Sequence, residues 1–426
     1  MIQVIGGSWA LFLGMFMLMI GNGVQGTLLG LRGDIEGFST GQMSLVMAAY
    51  FAGFLVASQA VPRMIQRVGH VRVFAALAST ISAVLVLYPA LTEPWAWVAG
   101  RAVIGFCFCG VYITAESWLN DASTNETRGQ ALSVYMIVQM AGVVVAQYLI
   151  TLGDVSGFVL FIIPSVLISL AFAPILLSVG VAPAFERTKP LPLGRLVRAS
   201  PLASVGIFLL GGVFAAQFGM AAVYGTRAGL SVGQISFMIS MTYFAALVLQ
   251  FPIGWLSDRI DRRILIVALA AIGGVGAIVS AVIPNQYWLI VFSAAMVGGM
   301  SNPLYALLVA YCNDYLERSD MAAASGGLLF INGVGAVLGP LGVGWVLERV
   351  GPPGYWLILS VLMLMIAAYG LYRMTRRSRR EVVASESVPY APVAPTSTAV
   401  VHEIAQEVYI DRAPDEPEHT PAETAT

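Results

Sequence analysis

The chain is poor in charge, histidine and cysteine. Only 11% of its 426 residues are Asp, Glu, Lys or Arg, and it holds three His and three Cys. So few charges are unsuited to a soluble globular protein of this length; with 58% hydrophobic residues and a mean hydropathy of +0.81, the chain belongs in a bilayer. The cysteines exclude a disulfide framework, because Cys107 and Cys109 are two apart, facing different sides of one helix, and all three fall in or beside apolar runs. His70 falls in a loop and His402 and His419 in the C-terminal stretch, and no nucleophile is paired with a base. An enzyme, a metal site, a cofactor and a nucleic-acid partner are therefore not expected.

What the sequence has in quantity is apolar length. About 20 apolar residues cross the hydrocarbon, and such windows fit about a dozen times before the chain turns polar near Arg373. The first, at 8–31, has no basic residue before it and is too long for a cleaved signal core, so it reads as a retained helix. Basic residues in alternate loops fall on one side: Arg63, Arg67, Arg72, Arg128, Arg187, Lys189, Arg195, Arg198, Arg259, Arg262, Arg263, Arg318 and the Arg373 to Arg380 cluster, against Arg32, Arg227 and Arg349 on the other. By the positive-inside rule both termini are cytoplasmic, in a multi-pass protein of the cytoplasmic (inner) membrane. Residues 375–426 read as a disordered cytoplasmic tail, which past Arg380 holds nine acidic residues against Arg412 alone. The basic cluster before it reads as positive-inside anchoring, with anionic lipid as the other reading.

The chain also repeats itself. GQMSLVMAAYF at Gly41 to Phe51 returns as GQISFMISMTY at Gly233 to Tyr243, 192 residues on, and Gly105, Tyr112, Asn120 and Asp121 return as Gly298, Tyr305, Asn313 and Asp314 after 193. An even number of helices per half lets both copies share one orientation. The expectation is an all-α membrane protein of about 12 transmembrane helices in two parallel six-helix repeats, 1–178 and 201–374, joined by a cytoplasmic linker at 179–200.

The loop GWLSDRIDRR, Gly254 to Arg263, resembles the signature of the major facilitator superfamily. That resemblance implies that Gly254, Asp258, Arg259, Arg262 and Arg263 belong to a cytoplasmic gate. The first-half copy is degraded: Pro62 takes the Gly slot and Gln66 the acidic one, while Arg67, Gly69, His70 and Arg72 remain. Glu116 then becomes the nearest candidate anion for Arg67 or Arg72. RAVIGFCFCG, Arg101 to Gly110, resembles the superfamily's Arg-plus-Gly helix motif, and at 100° per residue Arg101, Gly105, Tyr112 and Glu116 share one stripe. Arg101 costs a few kcal/mol in a bilayer and should face a cavity or partner, either binding substrate, biasing a proton step or tethering helices. The Gly-Pro segment at Gly333 to Gly344 resembles one found in drug antiporters on the fifth helix, but the fifth span here, QMAGVVVAQ, lacks it. AESWLN at Ala115 to Asn120, YMIVQMAG at Tyr135 to Gly142 and FPIGWLSD at Phe251 to Asp258 are similar to the YcaD-like bacterial group.

The repeat nominates a binding site, because carriers of this kind bind near mid-membrane between halves, where polar residues are expensive. Gln25 maps to Gln217, Tyr112 to Tyr305 and Gln139 to Asn332; Asn22 and Asn302 add amides. With Arg101, these nine are the expected substrate cavity, although amides that glue helices would also be duplicated. The deep membrane offers no carboxylate, since Asp34, Glu36, Glu93, Asp154 and Glu348 are in external loops. The expected function is a monomeric secondary transporter moving a small neutral or anionic organic solute by rocker-switch alternating access. Two alternatives are a proton-coupled efflux antiporter working through Glu116 and a transporter-like receptor signalling through its tail.

Overall fold

The computed structural model describes residues 2–121, 123, 127–178, 191–316 and 318–376, together with Val393, Thr398, Val400, Val401 and Ala405. The first bundle comprises α1 (Ile2–Ile35), α2 (Thr40–Val68), α3 (His70–Leu87), α4 (Pro94–Asp121), α5 (Arg128–Ile150) and α6 (Val159–Ser178). A short helix, α7 (Leu193–Ala199), leads into the second bundle. Its first rod is composite: α8 (Pro201–Ala215), a π turn over Ala216–Met220 and α9 (Ala221–Arg227). Then follow α10 (Val232–Ser257), α11 (Arg262–Val282), α12 (Tyr287–Asn313), α13 (Arg318–Val350) and α14 (Pro353–Arg376). Eleven rods among the described residues are long and apolar enough to cross a membrane, and Val159–Pro174 of α6, with prolines at 164 and 174, is a shorter apolar twelfth. His70, expected in a loop, is instead the buried first residue of α3.

The repeated sequence corresponds to repeated physics. The GQMS segment opens α2 with a capping box: Ser39 Oγ accepts from the Gln42 amide at 3.1 Å, and Gln42 Oε1 accepts from the Ser39 amide at 2.8 Å. The same reciprocal pair, Ser231 with Gln234, opens α10. Each box satisfies two of the amide donors that a helix start leaves unpaired.

The repeated glycines mark backbone crossings. A methyl group on Gly105 would run into the Tyr50 carbonyl, and one on Gly298 into the Thr242 carbonyl, so α2–α4 and α10–α12 cross alike. Gly142 faces the Phe16 carbonyl and Gly335 the Phe208 carbonyl, repeating the contact as α1–α5 and α8–α13. Close approach of small residues is how helices gain packing energy where the hydrophobic effect between them is absent.

The halves meet chiefly along α2 with α13, α5 with α10 and α1 with α9. At the end away from the arginine-rich loops this seam is tied by polar contacts. Glu348 Oε1 of α13 accepts from the Gly41 amide of α2 at 2.9 Å, and Arg227 Nη2 donates to the Phe38 carbonyl at 3.1 Å. Gly344 lies against Ser44, and Gly30 against Ala222. Below this end Asp154 folds its turn by accepting from the Ser156 amide and hydroxyl, which holds its carboxyl below the ordinary range.

Candidate functional site

At mid-bundle the two halves leave two adjoining hollows that share Phe214, nearly closed in this state, with about 20 and 30 Å³ open to the centre of a water molecule. The first, toward the arginine-rich end, has Tyr50, Phe51, Phe54 and Ser58 on one wall and Asn332, Gly333 and Leu329 on the other. The second is lined by Met19, Asn22, Gln139, Phe218, Tyr243 and Asn302 among others. Neither has a charged side chain in its lining. The helices that supply these walls are α1, α2, α5, α8, α10, α12 and α13, with Phe218 standing in the π turn.

Of the nine side chains expected at a cavity, Asn22, Gln139, Asn302 and Asn332 line these hollows. Gln25, Arg101, Tyr112, Gln217 and Tyr305 are buried outside those two linings. For the first-half residues the physical reason lies in Arg101. A guanidinium deep in an apolar bundle must recruit its own solvation, and here it does so from three neighbours. Nη1 donates to Gln25 Oε1 at 2.7 Å, Nη2 reaches Met47 Sδ at 3.5 Å, and the group lies 4.6 Å from the centre of the Tyr50 ring. Gln25 passes the polarity on by donating to Asn22 Oδ1 at 2.9 Å, and Asn22 donates to Tyr112 Oη at 2.8 Å and Tyr50 Oη at 3.3 Å. The chain Arg101, Gln25, Asn22 is thus a buried network behind the hollow, and Asn22 is its end in the lining.

The second half solvates no guanidinium at the position related to Gln25. Gln217, the repeat mate of Gln25, sits in the π turn with Ser301 Oγ at 3.4 Å. Asn302 donates to the Gly298 carbonyl at 3.3 Å, while Gln139 Nε2 is buried without a hydrogen-bond partner. Repeat symmetry therefore finds the amides and misses the aromatics. Tyr50 maps to Thr242 and Phe51 to Tyr243, so a search for like residues passes over the rings that form the hollow wall.

The expected gate residues separate into two groups. Arg67 and Arg72 are exposed, and Gly69 makes the α2–α3 turn at φ +85°, a conformation that favours glycine. Neither arginine pairs with Glu116, which corrects that expectation: Glu116 is wholly buried and accepts from Tyr135 Oη at 2.8 Å. In the second half Gly254 is buried in the last turn of α10 and Asp258 caps it, while Arg259 is exposed and stacks on Trp255 at 3.9 Å. Arg263 pairs with Asp261 at 2.9 Å. The buried pair is Arg262 with Asp314, 2.5 Å apart, linking α11 to the end of α12. Burial raises the Asp314 carboxyl, with Arg262 opposing the rise. Asp314 was visible as a repeat position, but its partner was not: the repeat mate of Arg262 is His70, which rests beside Trp118 instead.

In the tail the described residues Val393, Thr398, Val401 and Ala405 are buried, and Thr398 donates to Glu116 Oε2 from its amide at 3.2 Å and from its hydroxyl. The other tail residues, like 179–190 of the linker, lie outside the described residues.

Two like helical bundles in a membrane, meeting around an uncharged hollow, define a carrier. The Major Facilitator Superfamily model matches residues 11–232 and 202–405, and the chain belongs to that family. An MFS-type transporter YcaD of Salmonella arizonae is 24% identical over 84% of this chain and 91% of its own length, and an MFS-type transporter of Enterobacter sp. (strain 638) is 25% identical over the same shares. Among solved structures, a D323A mutant of the nucleoside transporter NupG superposes with a TM-score of 0.73 at 15% identity, covering 86% of this chain and all of that one. A bacterial homologue of the human lysosomal transporter Spinster gives 0.66 at 15% identity, covering 97% and 99%. The chain is a multi-pass secondary transporter of small solutes in the family of these proteins and not an enzyme.

Proposed function

We propose that this carrier moves a small, neutral, ring-bearing organic solute by rocker-switch exchange between states open at either end. The observation that carries the substrate class is the hollow between the halves, where Tyr50, Phe51, Phe54, Phe214, Phe218 and Tyr243 offer ring faces and Asn22, Gln139, Asn302 and Asn332 offer amides. Aromatic walls take up flat apolar bodies, and a few amides fix their polar edges. A cationic solute would meet no anion there. An anionic one would find Arg101 already engaged by Gln25 and Tyr50. Gln139, in the lining beside Asn22, adds an amide for a solute's polar edge.

The excess of basic residues in its loops supports a cytoplasmic arginine-rich end, with the sealed end facing outward. Arg262 with Asp314, together with Gly254, Asp258, Arg259 and Arg263, then forms the cytoplasmic hinge region of the second half. Proton coupling is the second reading, and Glu116 is the acid that would carry it. Transport that survives Glu116→Gln at unchanged protein level removes that reading.

Thermal unfolding of the purified protein against a panel of neutral ring solutes, nucleosides among them because NupG carries that name, tests the substrate class. A ligand at 100 times its Kd stabilises the folded state by about 2.7 kcal/mol. A midpoint rise abolished by Gln139→Ala with Asn302→Ala supports the hollow as the site. A rise only with charged solutes refutes the class.

A further inference from the structure

Phe218 stands in the π turn Ala216–Met220, whose other four residues are buried while it is half-buried. π turns are rare, carry one residue more than an α-helical turn, and collect at functional positions. The ring completes a stack across the seam between the halves. It lies 6.1 Å from Phe214 with 15° between the planes, 5.6 Å from Tyr50 and 6.1 Å from Phe51, centre to centre. Tyr50 and Phe51 line the hollow toward the arginine-rich end, Phe218 lines the other and Phe214 lines both, so this stack is the wall that divides them. The volumes show what the wall excludes. Openings of about 20 and 30 Å³ hold little more than a water molecule each, whereas a benzene-sized ring fills a cavity of about 150 Å³. Neither hollow by itself takes a ring-bearing solute, and what stands between them is itself a flat ring. Its surroundings leave it room to move: its tip rests on Gly26 of α1, where a methyl group would already be in contact at 3.5 Å, and its neighbour Gln217 has Ser301 Oγ at a long 3.4 Å.

Resting on the carrier reading above, we infer that Phe218 is a specificity-determining residue that keeps the substrate's place. In the loaded state its ring leaves the stack, the two hollows become one chamber, and a flat ring of the solute stands between Phe214 and Tyr50 where the Phe218 ring stood. The π turn supplies the movement, because passing its extra residue along the rod turns each residue it passes by one helical step, about 100°. Phe214 is the fixed wall on which the solute stacks. Asn22 and Asn302, in the same lining as Phe218, take the solute's polar edge.

The test uses the full chain in nanodiscs and two measurements. In the first, 4-fluorophenylalanine is placed at 218 or, as a control, at 214, and fluorine relaxation dispersion reports exchange on the microsecond to millisecond scale. Position 218 should show dispersion and position 214 should not. In the second, binding of uracil, a flat neutral ring with polar edges, is read from the thermal midpoint. Phe218→Ala removes the ring that has to move and should tighten binding by about tenfold, the factor lost when only a tenth of the molecules are competent. Phe214→Ala removes the fixed wall and should weaken binding several-fold. Equal tightening in both variants marks a simple packing void and overturns the partition, as does a static ring at 218; the carrier reading survives either result. Uracil inert on every form, the emptied one included, overturns the aromatic site and the ring-solute class together. The fluorine measurement empties no part of the core, so it decides the partition even where an alanine variant fails to fold.

Discussion

At the scale of single residues, the two halves are unequal in a way that repeat symmetry hides. Gln25 is the main hydrogen-bond acceptor for a buried guanidinium, whereas Gln217 makes one long contact with a serine. Hydrogen bonds to charged groups contribute about 1.5–3 kcal/mol and neutral interhelical ones in membranes about 0.6. Gln25→Ala should therefore lower stability by roughly 2–3 kcal/mol and Gln217→Ala by less than about 1 kcal/mol. Equal losses in a denaturation assay would mean that Arg101 is solvated by something else. Asp314 gives a pH signature. Because burial raises its carboxyl, the unfolded chain ionises first, and stability contributed by the neutral acid falls as pH climbs from the ordinary Asp value of about 3.9 to the folded one. Removing Arg262 takes away the opposing attraction and widens that window. Arg262→Gln should then cost roughly 3–5 kcal/mol at pH 8 and progressively less as pH is lowered, since the orphaned carboxyl can take up a proton. A loss that does not change with pH would show that Asp314 stays ionised without its partner.

At the scale of helices, what could be read from the sequence was local or duplicated. The repeated GQ segments are legible because a capping box closes within four residues, so chain order alone carries it. Glycines 105 and 298 are legible as repeats, but the reason for them, a carbonyl on the neighbouring helix, lies some 55 residues back in each half. The linings of the hollow were half legible: amides stand out in apolar helices, while Tyr50, Phe54 and Phe214 look like any other core ring until the helices are packed. The crossing glycines give a sharp comparison. Gly105→Ala must part α2 from α4 and should be strongly destabilising, while Gly326→Ala in α13, with nothing within 4 Å of the added methyl, should be neutral or slightly stabilising. Thermal midpoints of the two variants decide it, and similar values would mean that α2 and α4 can slide apart freely.

At the scale of the whole molecule, the state described is held by a latch at the end away from the arginine-rich loops. The latch is sparse: Glu348 reaches across from α13 to the Gly41 amide at the start of α2, where the positive end of the helix dipole adds to the hydrogen bond, and Arg227 reaches back to the Phe38 carbonyl with Asp34 at 3.9 Å. Both are exposed or half-exposed, so each contributes modestly, about 0.3–1 kcal/mol. A carrier needs such weak seams, because alternation requires that two states differ by only a few kcal/mol. Breaking both contacts should therefore shift the population and leave the fold standing. In Glu348→Ala with Arg227→Ala, a cysteine placed at Ser44, which Gly344 covers in the closed seam, should be labelled several-fold faster from the sealed end while the thermal midpoint moves little. Faster labelling together with a collapsed midpoint would identify these contacts as part of the fold's foundation and not as a latch.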